Sequence, residues 1–236
     1  MSTISVSLPD GSQREVPAGS SSLDVASAIG SRLAKAAIAA VVNGEMVDLG
    51  REVADGDSVA IVTTTSAEGR EVLRHSTAHV LAQAVTRLWP GAHFAIGPAI
   101  QDGFYYDFDL PGGAHFSDAD MSRIEEEMRK IVAENQPFVR SEHSIEEGLS
   151  LFATQPYKLE IIQAVQSGGS AEDLAEVGNA AVVSAYRNTE GFVDLCRGPH
   201  VPSTGRLGYF KLMRVAGAYW RGDEKRQQLQ RIYGTA

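Results

Sequence analysis

The stretch Arg74-His75-Ser76-Thr77-Ala78-His79 puts two imidazoles four residues apart. On a helix, residues i and i+4 share a face, so both rings can address one point. Further along, Asp194-Leu195-Cys196-Arg197-Gly198-Pro199-His200 sets the chain's only cysteine four residues before a third histidine, with a carboxylate two residues upstream of the cysteine. Gly198-Pro199 is a turn signal that could bring the two side chains together. Three of the six histidines and the only cysteine thus fall into H-x3-H and C-x3-H. Two chemistries suit such a set. Three imidazoles and a thiolate match a tetrahedral zinc site. The same imidazoles, one of them oriented by Asp194, could instead position or activate water in a hydrolytic pocket. The plainer alternative is a histidine pair on an exposed helix surface and a cysteine buried as a small hydrophobe. Coincidence would then have to act twice, once for each motif.

A third feature joins Ala95-Ile96-Gly97-Pro98 to Gly103-Phe104-Tyr105-Tyr106-Asp107-Phe108-Asp109. A strand, a tight turn and an aromatic strand could wall a pocket, with a tyrosine hydroxyl as a donor, or could simply pack a core. Lys158 follows Pro156-Tyr157 in a mostly apolar neighbourhood. A desolvated lysine can act as acid or base, but residue type alone favours a solvated surface lysine here. Neither G-x4-G-K-[ST] nor G-x-G-x-x-G is present, and no serine sits in G-x-S-x-G, so the common phosphate loops and the nucleophile elbow are excluded.

The elements that must carry these residues fall into two blocks. In residues 1 to about 64, Ile4, Val6 and Leu8 alternate with small polar residues as a strand, and Pro9-Asp10-Gly11 is a turn. A second strand ends near Val16-Pro17. Ser22 is the expected N-cap of a helix with Val25, Ala26 and Ile29 on its apolar stripe. Ile38–Val42 is a β-branched run ending at the hairpin signal Asn43-Gly44, with Met46–Leu49 as partner. Val59, Ile61 and Thr63 close the block. The order β-β-α-β-β-β over so few residues predicts a compact α+β module, and Thr63-Thr64-Thr65-Ser66 reads as a linker. The second block opens with a helix over Val72–Trp89, stopped by Pro90-Gly91. Strands are expected around Phe94–Leu110. A charged helix over Ala119–Asn135, introduced by Ser117-Asp118, carries Met121, Ile124, Met128 and Ile131 on one face. A further helix covers Ile145–Phe152, Gln166–Ser170 is a loop, and Val182–Val193 reads as strands.

The 236 residues are 43% hydrophobic and 22% charged, which supports a real core and excludes a mostly disordered chain. A single cysteine excludes an intrachain disulfide framework and fits a reducing compartment. The longest fully apolar run, Ala36–Val42, is far short of a membrane span, and no secretory signal is visible, so the expected location is cytoplasmic with no membrane partner. The net charge of −9 is uneven. Residues 1–65 carry −4, residues 66–202 carry −10, and residues 203–236 carry +5 from Arg206, Lys211, Arg214, Arg221, Lys225, Arg226 and Arg231 against two acids. Phosphate affinity comes from Lys and Arg, so this last stretch is either a solvated surface with scattered ion pairs or a local phosphate-contacting face.

RHSTAHVLAQAV, AIGPAIQDGFYYDFD, FVDLCRGPHVPSTG and FKLMRVAGAYWRGDEKRQQLQRIYGTA together closely resemble the N-terminal editing domain of bacterial threonyl-tRNA synthetases. The first block is similar to the TGS domain that precedes it, a ubiquitin-like β-grasp module. The resemblance implies an α+β chain: a TGS domain over residues 1–64, then a larger α/β editing domain over 65–236 like the second additional domain of threonyl- and alanyl-tRNA synthetases. It implies post-transfer editing, the hydrolysis of serine from Ser-tRNA(Thr), because one missing methyl gives a synthetic site only about 1–3 kcal/mol of discrimination. Position by position, His75, His79, Cys196 and His200 match the family's pocket quartet. The implied roles are water positioning and proton transfer for His75 and Lys158, with His79 beside them. Asp194 and Tyr106 would bind the seryl amine and hydroxyl. Cys196 and His200 would shape the wall, with Arg197 as a further substrate contact. Arg214, Arg221, Lys225 and Arg226 are the expected contacts to the tRNA acceptor end.

A similar quartet in the alanyl-tRNA synthetase editing domain looks like a zinc site, whereas the threonyl likeness implies a pocket without metal, and no cofactor is expected in this stretch. ATP, magnesium and a zinc would belong to a catalytic core that, with the anticodon-binding domain, is expected to lie outside this chain. The likeness also implies a homodimeric parent and leaves a monomer as the expected state of this stretch. Two other functions compete: a tRNA-binding or regulatory module without activity, and a zinc-dependent aminoacyl-tRNA deacylase.

Overall fold

The computed structural model of the chain describes residues 2–170 and 182–236. Its contacts divide it into two units. One runs to Leu73 and includes Gly198–Pro202; the other comprises Arg74–Arg197 and Ser203–Ala236. The mixture of helices and antiparallel ladders is the α+β class that the sequence predicts. No helix among the described residues is long and apolar enough to cross a membrane.

In the first unit, β1 (Thr3–Ser7) and β2 (Gln13–Pro17) form a hairpin, with Ile4 opposite Val16. Its turn places Gly11 at φ +81°, and Asp10 accepts from the Ser12 backbone N–H, the role expected of that aspartate. Helix α1 (Ser22–Ile29) follows. Its N-cap is Ser21, not Ser22: Ser21 and Asp24 bond each other's backbone N–H in a capping box. The S-x-x-D spacing selects the middle serine of the run. A short helix that the sequence reading missed, α2 (Ser31–Ala36), precedes β3 (Ala37–Val42). β3 lies between β4 (Glu45–Val47) and β5 (Val59–Thr63). Asn43 and Gly44 both have positive φ, the conformation a two-residue hairpin needs. Val6, Val16, Val25, Ala26, Ala40, Leu49 and Val59 close the core; fully burying one of its larger side chains is worth about 1.5–3 kcal/mol. Residues 63–66 are not a loose linker. Ser66 Oγ accepts from the Gly69 backbone N–H at 3.0 Å, and a Cβ on Gly69 would lie 1.9 Å from the Thr63 carbonyl oxygen. The chain therefore turns directly from β5 into α3 (Ala67–Leu88), and the division between units falls inside that helix.

In the second unit, residues 76–85 of α3 are buried without interruption. A helix buried all round belongs to a core, which explains why its polar residues, His79 among them, need internal partners. The larger sheet runs β12-β13-β8-β6, with β7 (Ala99–Ile100) also on β8. Its strands are β6 (His93–Phe94), β8 (Gly103–Asp109), β12 (Lys211–Tyr219) and β13 (Gln228–Thr235). Helix α4 (Asp118–Glu134) is capped by Ser117 and buries Ile124, Met128 and Ile131 as expected, together with Glu125. The second sheet runs β11-β10-β9, from β9 (Val139–His143), β10 (Val183–Thr189) and β11 (Phe192–Leu195). Between β9 and β10 lie α5 (Ile145–Leu151) and α6 (Pro156–Gln166). The sequence reading missed α6, β9 and the β12–β13 hairpin. α6 is amphipathic, and buries Tyr157, Lys158, Ile161, Ile162 and Val165.

Candidate active site

Three elements of the second unit converge on one buried carboxylate. β11 delivers Asp194, which is 0% exposed. The first turn of α6 delivers Lys158, 1% exposed, with its Nζ 2.7 Å from Asp194 Oδ1. β8 delivers Tyr106, whose hydroxyl donates to Asp194 Oδ2 at 2.5 Å and accepts from Lys158 Nζ at 3.2 Å. The surface-lysine expectation fails because Lys158 gains a partner here: a buried ammonium needs a carboxylate, and Asp194 supplies it. The rings of Phe94 and Tyr106 lie 5.5 and 5.6 Å from Nζ and add their negative faces. Gly97 makes room for Tyr106, since a Cβ there would stand 2.1 Å from the ring.

The histidine pair adjoins this group. His79 Nε2 is 3.6 Å from Asp194 Oδ2, and the rings of His75 and His79 meet edge to face at 5.1 Å. Cys196 Sγ is 3.3 Å from His75 Nε2, a hydrogen-bond distance. Ser184, which no motif singles out, fixes the cysteine: its carbonyl accepts from the Cys196 N–H at 3.1 Å, and its Oγ–H donates to the Cys196 carbonyl at 2.8 Å. The H-x3-H pair is therefore not an idle helix surface. Part of His75 remains accessible, whereas His79 is buried.

Burial dominates the titration of both rings. His75 is pushed down to about 3 by desolvation, then by its neighbour His79, with Asp194 opposing. His79 is pushed down to about 4 by desolvation, although Asp194 works the other way. Both imidazoles are neutral near pH 7 and can accept a proton or a hydrogen bond. For Asp194 burial acts to raise the pKa, but the Lys158 ammonium, His79 and the hydrogen bonds from Lys158 and Tyr106 outweigh it, and the carboxyl stays below its ordinary range. The result is an ionised pair in a dry setting beside two neutral bases.

Two families match this chain. The TGS domain covers residues 4–63, and the second additional domain of threonyl and alanyl tRNA synthetases covers 183–233, the span that contains Asp194 and Cys196. The threonine–tRNA ligase of Pelobacter propionicus is 51% identical over 238 residues, covering all of this chain and 35% of that protein. That of Desulforamulus reducens is 52% identical over 235 residues, and that of Streptococcus equi subsp. zooepidemicus 48% over 233; each covers 99% of this chain. The chain belongs to the threonyl-tRNA synthetase family. It corresponds to the N-terminal region and spans about a third of the length of the curated relatives it matches.

Within this synthetase region the remaining expected residues fall as follows. His200 is buried and lies in Gly198–Pro202, the segment grouped with the first unit, where its backbone N–H donates to Asp48 Oδ1 at 2.9 Å. Arg197 is exposed, and its charge contributes to holding His75 neutral. In the basic stretch, Arg221 and Arg226 both bond Glu160, Lys211 bonds Glu125 at 2.7 Å, and Arg231 grips the buried Asp107 through two bonds of 2.7 and 2.8 Å. Arg214 stacks on the Tyr233 ring at 4.6 Å, and the Lys225 side chain is exposed. Most of these cations thus already have a partner within the unit.

Proposed function

We propose that the second unit is an editing hydrolase that removes serine from mischarged tRNA(Thr). One observation carries the reading: the ionised Lys158–Asp194 pair with Tyr106, set against the neutral His75 and His79. Ester hydrolysis needs a positioned water and charge stabilisation that does not depend on bulk solvent. His75, partly accessible and neutral, accepts a hydrogen bond from the attacking water and aims its lone pair at the ester carbonyl. With its pKa so low it orients the water better than it stores a proton. The Lys158 ammonium is the donor for the developing oxyanion, the Tyr106 oxygen, its proton already given to Asp194, accepts from the seryl hydroxyl, and Asp194 offers its carboxylate to the seryl amine. Water adds to the carbonyl, the ester C–O bond breaks, and a proton passes to the departing ribose oxygen, leaving serine and uncharged tRNA. Cys196, held by Ser184, shapes the wall that disfavours the extra methyl of threonine. Threonine ligation, with its ATP, magnesium and zinc, belongs in this reading to the rest of a homodimeric cytoplasmic enzyme.

The test is deacylation of Ser-tRNA(Thr) by this chain at high enzyme concentration. His75→Ala should abolish turnover with the fold intact, and a wild-type rate in that variant overturns the assignment. A second reading has an observation of its own: the donor atoms of His75, His79 and Cys196 lie within 4.8 Å of one another. Two neutral imidazoles and a thiol are a suitable donor set for zinc, which would lower the pKa of a bound water. Stoichiometric zinc by elemental analysis, lost together with activity on chelation, would favour that reading over the metal-free one.

A further inference from the structure

Glu160 follows Lys158 by two residues on α6, so the two side chains leave the helix about 200° apart. Lys158 points to Asp194. Glu160 points away, to the turn joining β12 and β13, and there gathers four donors on one carboxylate. Trp220 Nε1 donates at 3.1 Å, Arg221 Nε at 2.8 Å and Arg226 Nη1 at 2.8 Å, and Arg226 Nη2 bonds the second oxygen. Bidentate arginine binding fixes orientation as well as distance. The turn is shaped to present these groups. Arg221 sits at φ +55°, a left-handed conformation unusual for a side-chain-bearing residue, with its guanidinium 5.3 Å from the Trp220 ring centre. Trp220 is buried and meets Tyr157 edge to face at 5.1 Å. The hairpin does not need Glu160 for its own closure, because β12 and β13 are paired from Lys211–Thr235 to Tyr219–Gln228. Strain at Arg221 and four donors spent on one helical carboxylate therefore act on α6.

We infer that Glu160, with Trp220, Arg221 and Arg226, is a latch that fixes the rotation of α6 and so aims the Lys158 ammonium at Asp194. Glu160 is a positioning residue, and its catalytic consequence rests on the proposed hydrolase reading. A displacement of about 1 Å at a reacting group can cost on the order of 100-fold in rate. Glu160→Ala should therefore lower kcat for Ser-tRNA(Thr) deacylation by about ten- to a hundredfold with KM nearly unchanged. Glu160→Gln, which keeps an acceptor for Trp220 and one arginine N–H, should fall between that variant and wild type.

A second measurement is independent of activity. In the intact chain, reductive methylation read by mass spectrometry should label Lys158 slowly in the wild type and faster in Glu160→Ala, with Lys35 and Lys130 as unchanged internal standards. If Glu160→Ala does not fold, Arg226→Ala and Arg221→Gly each remove donors from the latch while leaving the helix sequence intact. Unchanged Lys158 labelling in a folded latch variant overturns the inference, and so does a uniform rise at all three lysines, which would mean general loosening. If the wild type shows no deacylation, the hydrolase reading fails, and the labelling arm still decides the latch.

Discussion

Replacing Lys158 by methionine keeps most of the side-chain volume and removes the charge. At an exposed ion pair that would matter little, about 0–1 kcal/mol. Here Lys158 is 1% exposed and Asp194 0%, so the carboxylate would be left buried without its cation. Removing one partner of a buried pair costs roughly 3–5 kcal/mol. The Tyr106 hydroxyl still donates to Asp194 at 2.5 Å, which places the expected loss toward the lower end. At roughly 2–4 °C per kcal/mol for a chain of this size, the melting transition of the second unit should fall by about 6–12 °C. The carboxyl should also take up a proton more readily, because Lys158 is the largest of the influences holding its pKa down. Removing both charges separates stability from chemistry. Lys158→Met with Asp194→Leu leaves no buried ion, so calorimetry should show most of the lost stability restored. Deacylation of Ser-tRNA(Thr) should stay absent in both variants. A single variant as stable as wild type, or a double variant no more stable than the single, would refute the reasoning.

Acid should destabilise the second unit before its carboxylates titrate. His79 has a folded pKa of about 4 against an ordinary 6.5, so the unfolded chain binds the proton that the folded one refuses. The share of stability held by this ring is then full above about pH 6.5 and drains as pH falls toward 4, by roughly 3 kcal/mol at most, and His79→Gln should remove that share of the limb in melts recorded between pH 7 and 4. Gly97→Ala should damage activity more than stability. Its Cβ would stand 2.1 Å from the Tyr106 ring, so Tyr106 must shift off Asp194, at a cost of about 1–3 kcal/mol in melts but with most of the deacylation rate lost. In tRNA-binding titrations, Arg214→Ala and Lys225→Ala should each reduce the salt slope by about one. Arg226→Ala should change it less, since its guanidinium is already committed to Glu160.

The parts of the site carried by local spacing were legible in the sequence. His75 and His79 lie four apart on a helix, and Gly97 sits in a turn signal next to an aromatic strand, so their placement needs only chain geometry. Lys158 was not legible. Pro156-Tyr157-Lys158-Leu159-Glu160 suits a solvated or a buried lysine equally, and the deciding group, Asp194, arrives on β11, far along the chain. Helix α2 and strand β9 were missed for a similar reason. α2 buries no residue, and β9 is largely exposed, with charges at Arg140 and Glu142, so each is held by its neighbours rather than by a periodic apolar pattern.

The charge of the C-terminal stretch shows why such a sum misleads. Seven cations against two acids over residues 203–236 looks like a face waiting for phosphate. Folding supplies the missing acids from other segments: Asp107 from β8, Glu125 from α4 and Glu160 from α6. Local net charge counts only acids that are near in sequence, whereas a hairpin such as β12–β13 meets acids that are near in space. The two counts agree only where a segment packs against itself. This stretch packs against β8, α4 and α6, so its excess charge is mostly converted into fixed positions: Arg231 holds Asp107 beside Tyr106, and Arg221 and Arg226 hold the helix that carries Lys158. A basic segment adjoining a candidate active site can therefore serve the chemistry from behind, by holding the elements that aim it.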